Sequence, residues 1–269
     1  MKKGHAIWAL IIALFIIVTI IGTLYWQRWS PPQSLELSPA PEKPLISDQA
    51  VNAASRAGVA VPTYEPKSFD LAGKMKGLSP KQINEHITLY HGYVKKRNEI
   101  EQKLLTVDRK NSDSRTYSPF RALKVAETYA LNGQVLHELY FENLSPSITS
   151  TSKMGQLTKK LIEQSFGSVE AFKADFFDSA GVSRGWVLTC YVLDNGLLHN
   201  YVLDEHNIRV PIMVIPILVL DVYEHAYMID FGIHRQPYLE VFWNHIDWAV
   251  VEQRVSSYIE PLSKKSPRE

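Results

Sequence analysis

The sequence predicts an α+β fold: a long antiparallel helical hairpin, then an α/β domain with a small antiparallel three-stranded sheet, all preceded by one transmembrane helix. Three patterns predict it. Apolar side chains recur at three- and four-residue steps through 79–105 and 121–143. Between 186 and 220 the pattern changes to that of strands. An uninterrupted apolar or neutral run at 6–26 precedes both.

The run at 6–26 follows Lys2 and Lys3. As a helix it would be about 31 Å long at ~1.5 Å per residue, which matches the hydrocarbon core of a bilayer. A cleaved signal peptide is the alternative, but its apolar region is normally shorter and followed by a small-x-small cleavage site. We therefore expect 1–28 to be a single-pass anchor in the cytoplasmic membrane. The two lysines favour the cytoplasm, which puts the rest of the chain on the periplasmic or extracytoplasmic side.

The rest of the chain divides into three expected parts. Residues 29–68 are rich in proline, which removes backbone donors and blocks regular structure, so they predict an extended linker. A helical-hairpin domain is expected at 69–153 and a C-terminal α/β domain at 154–269. The 269 residues and a hydrophobic fraction of 45% suffice for a substantial core.

The composition argues against nucleic-acid binding and excludes an intramolecular disulfide. The net charge of +1 provides no basic field, so no nucleic-acid partner is expected. The one cysteine, Cys190, excludes an intramolecular disulfide. It stands in an apolar stretch, which predicts a buried, inert thiol.

The two long helices predict a hairpin with inward-facing histidines. Ser79 and the proline after it are typical of a helix N-terminus. The polar stretch 108–118 predicts a loop, and 121–143 predicts the second helix. Helical spacing places His86 and His137 on the apolar faces of their helices. Each helix is therefore expected to bring one histidine inward.

The C-terminal half is predicted to contain helices at both ends and a sheet between them. Shorter helices are expected at 157–166 and from Ser168 onward. An Asp-Asn-Gly turn predicts a β-hairpin, and a third strand and one closing aromatic-rich helix follow. The expected ranges of these last elements are 186–193, 197–203, 212–220 and 237–258.

Asp221 and His225 stand four residues apart at the end of the third strand. Such a pair can hold a metal, but two ligands rarely make a site. On spacing alone, the more frequent arrangement is Asp221 as a helix cap and His225 as a half-buried histidine. With His86 and His137 they form a set of three histidines and one carboxylate. A set without thiolates disfavours structural zinc and suits a redox metal with one position open to solvent.

The chain resembles the iron/manganese superoxide dismutases over roughly residues 70–260. The sequence Asp-Val-Tyr-Glu-His-Ala-Tyr at 221–227 and Tyr-Leu-Glu-Val-Phe-Trp-Asn at 238–244 are similar to the C-terminal signature of that family. Leu-His-Glu-Leu-Tyr-Phe at 136–141 is similar to its second-ligand motif, and 79–94 to its first-ligand helix.

The resemblance implies a metal centre and its immediate surroundings. It implies one iron or manganese ion per chain, of which we favour iron, bound by His86, His137, Asp221 and His225. Tyr93 would be the tyrosine that lines the substrate funnel. The donor to the metal-bound solvent would be His206 rather than Gln134, which lies one position away from the glutamine of the family.

The resemblance also implies a homodimer, in which Glu224 would reach His225 of the partner subunit. Tyr227 belongs to the same motif, and Arg235 corresponds by offset to the cationic residue of the funnel. Three bulky tryptophans expected around the metal are replaced by Phe141, Leu188 and Tyr223.

The expected reaction is dismutation of superoxide to oxygen and hydrogen peroxide at the outer face of the cytoplasmic membrane. The replaced aromatic residues leave one alternative, a membrane-tethered dismutase-like domain that has lost useful turnover and serves as a metal-binding or interaction module. A structural zinc domain fits poorly because there is no thiolate cluster. Metal content measured together with superoxide turnover separates the first two.

Overall fold

The computed structural model describes residues 60–109 and 115–259. The predicted anchor at 1–28 and most of the predicted linker at 29–68 lie outside these ranges. Within them, no helix has the length and apolar character needed to cross a bilayer.

The predicted hairpin is formed by α1 (Pro80–Thr106) and α2 (Pro119–Glu142). A serine caps each helix: Ser79 Oγ accepts the N–H of Gln82, and Ser118 caps α2 in the same way. The helices are antiparallel: residues further along α1 pack on residues nearer the start of α2. For example, the ring of His86 packs on Tyr140, and the ring of Tyr93 on Tyr129.

Two shorter helices, α3 (Gln156–Phe166) and α4 (Val169–Val182), lead from the hairpin to the sheet, as expected. The N-terminus of α3 is capped from the other end of the chain. Glu252 accepts the backbone N–H groups of Leu157 and Thr158 at 3.1 and 2.8 Å. This contact ties α3 to the C-terminal helices.

The three predicted strands are β1 (Trp186–Val192), β2 (Leu198–Leu203) and β3 (Val214–Asp221). They form one antiparallel sheet in the order β2-β1-β3. Trp186 at the start of the central strand pairs with both Leu203 and Asp221. The end of β2 and the end of β3 therefore lie on either side of Trp186.

The chain turns sharply after β3. A single 3₁₀ turn at Glu224–Ala226 is followed by the short helix α5 (Met228–Phe231). His225 lies in that turn, close to the end of the strand that carries Asp221.

The prediction of one closing helix at 237–258 is wrong. The structure has α6 (Arg235–Asn244) and α7 (Trp248–Arg254), and α7 continues as a π turn at Val255–Ile259.

The break between α6 and α7 has a tertiary cause. The two ring nitrogens of His245 lie 2.8 Å from the carbonyl oxygen of Ser145 and 2.9 Å from that of Lys76. Asp247 then caps α7 by accepting two backbone N–H groups of its first turn. These partners are far away in sequence, so the local apolar pattern did not indicate the break.

Large side chains from the hairpin, the sheet and α6 share one core. Tyr90, Tyr140, Trp186 and Phe242 are all fully buried in it. Cys190 is also fully buried, as expected, and burial raises the pKa of its thiol to about 12.

Candidate metal centre

Three histidines and one aspartate converge where the hairpin meets the end of β3. One ligand atom from each side chain lies within 4.8 Å of the others in the group formed by His86, His137, Asp221 and His225. The Oδ2 atom of Asp221 is at the centre, at 3.1, 3.6 and 3.0 Å from the Nε2 atoms of His86, His137 and His225. Elements distant in sequence thus bring together the four residues singled out as candidate ligands.

His137 indicates most directly that this cluster accommodates a cation. Its Nδ1 lies 2.5 Å from the carbonyl oxygen of Gly133, one turn earlier in α2. The Nδ1–H group therefore donates to Gly133, and the lone pair of Nε2 points into the cluster. That Nε2 atom is buried, and within the described part of the chain it has no hydrogen-bond partner. An unpaired buried nitrogen is costly unless a ligand occupies the space it faces.

Asp221 uses its two carboxylate oxygens differently. Oδ1 accepts the backbone N–H of Tyr223 at 2.9 Å, while Oδ2 faces the histidines. The carbonyl oxygen of Asp221 accepts the hydroxyl of Tyr238 at 2.8 Å, and that hydroxyl lies 3.1 Å from the hydroxyl of Tyr140. One carboxylate therefore stabilises the turn after β3 through Oδ1 and faces the histidines through Oδ2. Its two candidate roles, as a cap and as a metal ligand, are compatible.

Burial and mutual contact set the charge states of the four groups. Burial lowers the pKa of His86, and burial together with the neighbouring His86 lowers the pKa of His137 well below its usual value. Burial opposes ionisation of Asp221, but His225 and His86 outweigh it and hold the pKa of that carboxyl below its usual range. Burial acts against the charge of His225, yet Asp221 raises the pKa of this histidine. Two neutral imidazoles and a carboxylate are the forms that bind a metal ion.

Gln82 is a residue of this site that sequence reasoning missed. Its side chain is buried, its Nε2 donates to the carbonyl oxygen of His225 at 2.6 Å, and its Oε1 accepts the N–H of Ile229 at 3.0 Å. It therefore fixes the turn that carries His225 against α1. One signal was available: Gln82 stands four residues before His86, on the same face of a helix.

Tyr93 and His206 lie beside the cluster and contact each other. The indole Nε1–H of Trp186 donates to Nδ1 of His206 at 2.9 Å, and Nε2 of His206 lies 2.7 Å from the hydroxyl of Tyr93. Burial lowers the pKa of His206 to about 4, so the ring is neutral. Because Nδ1 accepts, the proton is on Nε2, which donates to Tyr93. Burial also raises the pKa of Tyr93, so this hydroxyl keeps its proton.

Gln134, the alternative to His206, is engaged elsewhere. Its Nε2 donates to Glu138 at 2.8 Å, and its Oε1 accepts from Arg97 at 3.4 Å. The choice between the two residues as the donor to metal-bound solvent stays a prediction, and a direct test is described below.

Tyr129 also packs here, although its sequence pattern indicated only an apolar helix face. Its ring is 4.6 Å from that of His206 and 6.1 Å from that of Tyr93. It stands on the same helical row of α2 as Gly133 and His137, and that spacing was the available signal.

The three residues that replace tryptophans have different surroundings. The buried ring of Phe141 is 4.9 Å from that of His86. Tyr223 stacks on His225 at 5.1 Å. Leu188 is buried and lines a cavity of about 170 Å³ that is also lined by Cys190 and His206. Apolar or aromatic groups thus still surround the histidines.

Glu224, Tyr227 and Arg235 lie outside the ligand cluster. Glu224 is exposed, next to the half-buried His225. The Nε group of Arg235 donates to the hydroxyl of Tyr227 at 3.5 Å, and its Nη1 donates to the carbonyl oxygens at the end of α4. Arg235 therefore supports the backbone beside the site.

Comparison with known proteins agrees with this geometry. Residues 153–254 match the family model of the C-terminal domain of iron/manganese superoxide dismutases. The superoxide dismutase [Fe] of Aquifex pyrophilus is 38% identical over 194 residues, which cover 71% of this chain and 90% of that protein. The superoxide dismutase [Fe] of Saccharolobus solfataricus is 30% identical over 181 residues, covering 66% and 85%. Superoxide dismutase [Mn] 2 of Haloferax volcanii is 31% identical over 175 residues, covering 65% and 85%. Similarity along nearly the full length of such relatives shows that the chain belongs to the iron/manganese superoxide dismutases.

Proposed function

We propose that this superoxide dismutase works as a homodimer at the outer face of the cytoplasmic membrane. Each chain would hold one iron or manganese ion, with iron favoured, through His86, His137, Asp221 and His225. The observation that supports this ligand set most strongly is the buried, unpartnered Nε2 of His137, which faces the Asp221 carboxylate at 3.6 Å. Oxygen and imidazole donors without thiolates suit both metals.

When bound, the ion supplies the one-electron oxidation of one superoxide and the one-electron reduction of a second. The protein residues set the conditions for that chemistry. Asp221 offsets part of the cationic charge, and its backbone is held by the Tyr238 hydroxyl at 2.8 Å. Gly133 orients the ring of His137 through its carbonyl oxygen.

Reduction of superoxide to hydrogen peroxide consumes protons, and Tyr93 and His206 are placed to supply them. The Nε2–H of His206 donates to the Tyr93 hydroxyl, so this hydroxyl accepts from His206 and keeps its own proton to donate. The raised pKa of Tyr93 keeps that proton in place between turnovers. In this proposal, Tyr93 delivers a proton from its Oη atom, and His206 fixes the direction of delivery.

Metal analysis of the full-length protein, paired with superoxide turnover on the same sample, tests the centre. About one iron or manganese per chain with turnover supports the proposal. Stoichiometric metal without turnover would favour the alternative, a dismutase-like metal-binding or interaction module.

The His137→Ala variant tests the ligand set, because it removes the unpartnered nitrogen. We expect it to bind little metal and to have no turnover while keeping the helical signal in circular dichroism. His199→Ala is the matched control, since His199 is exposed on β2 and its ring contacts Asn195. A His137→Ala protein with full metal and turnover would contradict the ligand assignment.

The proposed homodimer is supported by the surroundings of His225. The side chain of His225 is 29% exposed and its Nε2 faces Asp221, while Nδ1 has no partner within residues 60–109 and 115–259. The exposed carboxylate of Glu224 is next to it in sequence and is suited to pair with His225 of the partner subunit. We expect Glu224→Gln to weaken the dimer about tenfold or more in light scattering, because one partner of a charged pair is lost. Glu170→Gln, at an exposed position of α4, is the control and should leave the dimer intact.

The proposed location rests on the apolar run at 6–26 and the proline-rich linker after it. A membrane-impermeant maleimide tests it in spheroplasts of cells that produce the protein. We expect the Ser38→Cys variant to be labelled in intact spheroplasts and the Lys3→Cys variant only after permeabilisation. The opposite pattern would place the enzyme on the cytoplasmic side, and release by alkaline carbonate would argue against an anchor.

A further inference from the structure

The loop between β2 and β3 carries a group of exposed apolar side chains. We call residues 208–213 the apolar loop, because Ile208, Val210, Ile212 and Met213 are all exposed. Ile212 and Met213 are 85% and 67% exposed. Apolar groups of this size are unfavourable in water, and several of them on one loop mark a binding surface.

The backbone of the apolar loop is strained but held in place. Arg209 and Met213 have positive φ angles of 66° and 57°, which side chains other than glycine rarely adopt and which cost free energy. The carbonyl oxygen of Met213 accepts the N–H of Leu193 at 3.0 Å, and Arg209 pairs with Asp204 at 2.6 Å. The exposed apolar groups are therefore presented by a fixed backbone.

The apolar surface continues from this loop onto α2. Val210 and Pro211 line a cavity of about 170 Å³ together with Val135 and Leu139 of α2. Val135 is itself exposed. From 206 to 220 the sequence contains no acidic residue. This surface would therefore not repel the anionic headgroups of a phospholipid bilayer.

The predicted linker joins the domain close to the same surface. The backbone N–H and carbonyl groups of Tyr64 pair with the side chain of Asn98 at 2.9 and 2.8 Å. The guanidinium of Arg97 lies 3.5 Å from the centre of the Tyr64 ring and donates to Gln134 at 3.4 Å. Gln134 is the neighbour of Val135 in α2, so the end of the linker and the apolar surface lie on either side of this helix.

We propose that the apolar loop docks onto the lipid bilayer and inserts Ile212 and Met213 below the headgroups. This inference rests on the membrane location proposed above. A linker keeps the domain at a high effective concentration near the bilayer, so weak insertion is sufficient. A second copy of the chain suits the loop less well, because a stable protein interface buries about 800 Å² on each partner.

A fluorescent label on the loop tests this inference in the full-length protein, reconstituted into vesicles of phosphatidylethanolamine and phosphatidylglycerol. The variant Ile212→Cys would carry the environment-sensitive label NBD. Cys190 is fully buried, so the introduced thiol takes the label. Iodide in the water and a nitroxide on the lipid chains would each be used to quench the emission.

The variant Ala174→Cys on α4 is the matched control, because Ala174 is exposed on the other face of the sheet. Leu188 and Cys190 of β1 line the cavity on the α2 side. Thr189, which points the opposite way, bonds to Asn200, and Asn200 bonds to Asp175 of α4.

We expect the label at position 212 to be quenched by the lipid nitroxide and about fivefold less by iodide than the label at position 174. Transfer of one aliphatic side chain strengthens partitioning by about tenfold or more, so the docked state should dominate in the tethered protein. A label on Ile208→Cys should show the same shielding. Adding Ile212→Ser and Met213→Ser to that protein should remove it.

Equal quenching at positions 212 and 174 would overturn the proposal. Shielding from iodide without quenching by the lipid nitroxide would also overturn it, and would assign the loop to a contact between copies of the chain. Failure of the membrane location is separately visible, since alkaline carbonate would then extract the protein from the vesicles. An anchored protein with an unshielded loop contradicts the docking alone.

Discussion

The Nε2 atom of His206 lies 2.7 Å from the hydroxyl oxygen of Tyr93. This contact joins the loop after β2 to the first helix of the hairpin, beside the metal centre. The indole of Trp186 fixes the other side of the His206 ring, so the direction of the hydrogen bond is set. A neutral histidine with both nitrogens committed holds the tyrosine hydroxyl in one orientation.

Tyr93→Phe should lower turnover and leave metal binding intact. The ring that packs on His137 at 5.1 Å remains, while the hydroxyl that delivers a proton is lost. We expect turnover to fall by about tenfold to a hundredfold. This loss is at or below the low end of the rate contribution typical of general acid catalysis, because water can still supply protons. Stopped-flow turnover and metal analysis check this. Tyr201→Phe, on the edge strand β2, is the control, and equal turnover in both variants would contradict a role for the Tyr93 hydroxyl.

The variants His206→Ala and Gln134→Ala distinguish the two candidate solvent donors. We expect His206→Ala to keep its metal and lose turnover by about a hundredfold, because the Tyr93 hydroxyl loses the partner that fixes its direction. Gln134→Ala should keep turnover and lose about 1 to 3 kcal/mol of stability, since it leaves the buried end of Glu138 with fewer partners. Turnover and thermal unfolding would be measured for both. The reverse pattern would assign the solvent contact to Gln134.

Gly133→Ala should disturb Tyr93 through direct contact. A Cβ atom at this position would lie 2.6 Å from a ring carbon of Tyr93, so the ring must move. We expect a loss of about 1 to 3 kcal/mol in stability and a lower turnover, because the Tyr93 hydroxyl leaves His206.

The matched control for that variant is Gly181→Ala in α4, where a Cβ atom meets no atom within 4 Å. This control should be neutral or stabilise by up to about 1 kcal/mol, because alanine favours helix more than glycine. Equal stability of the two variants in thermal unfolding would show that the Tyr93 ring is free to shift.

Cys190 should resist thiol reagents in the folded protein. Burial raises the pKa of the thiol to about 12, so at pH 8 only about one molecule in ten thousand carries the reactive thiolate. We expect no labelling by a disulfide reagent in the folded state and one label per chain in guanidinium chloride. Rapid labelling of the native protein would indicate that the sheet around β1 opens readily.

Local patterns were sufficient for the hairpin, the two short helices and the sheet of this fold. The Ser79 cap predicted the start of α1, the apolar period at 121–143 predicted α2, and the Asp-Asn-Gly turn predicted the pairing of β1 with β2. The family of the chain was predicted from the resemblance of short motifs, such as 136–141 and 221–227, to those of known proteins. The comparisons then confirmed that family.

Contacts between distant residues decided what the sequence could not. The break between α6 and α7 depends on the carbonyl groups of Ser145 and Lys76, whose oxygens lie within 3 Å of the ring nitrogens of a histidine a hundred or more positions away in the chain. The support of His225 by Gln82 joins residues separated by 143 positions.

By itself, the sequence determined which residues were candidates for the metal site: His86, His137, Asp221 and His225. It did so because helical and strand periods fix the faces on which these side chains lie. The tertiary structure alone decided how the site is arranged. The burial of the unpartnered Nε2 of His137 and the direction of the bond between His206 and Tyr93 depend on neighbours that only folding brings together. Orientation, burial and pairing are properties of the packed chain, so no local pattern encodes them.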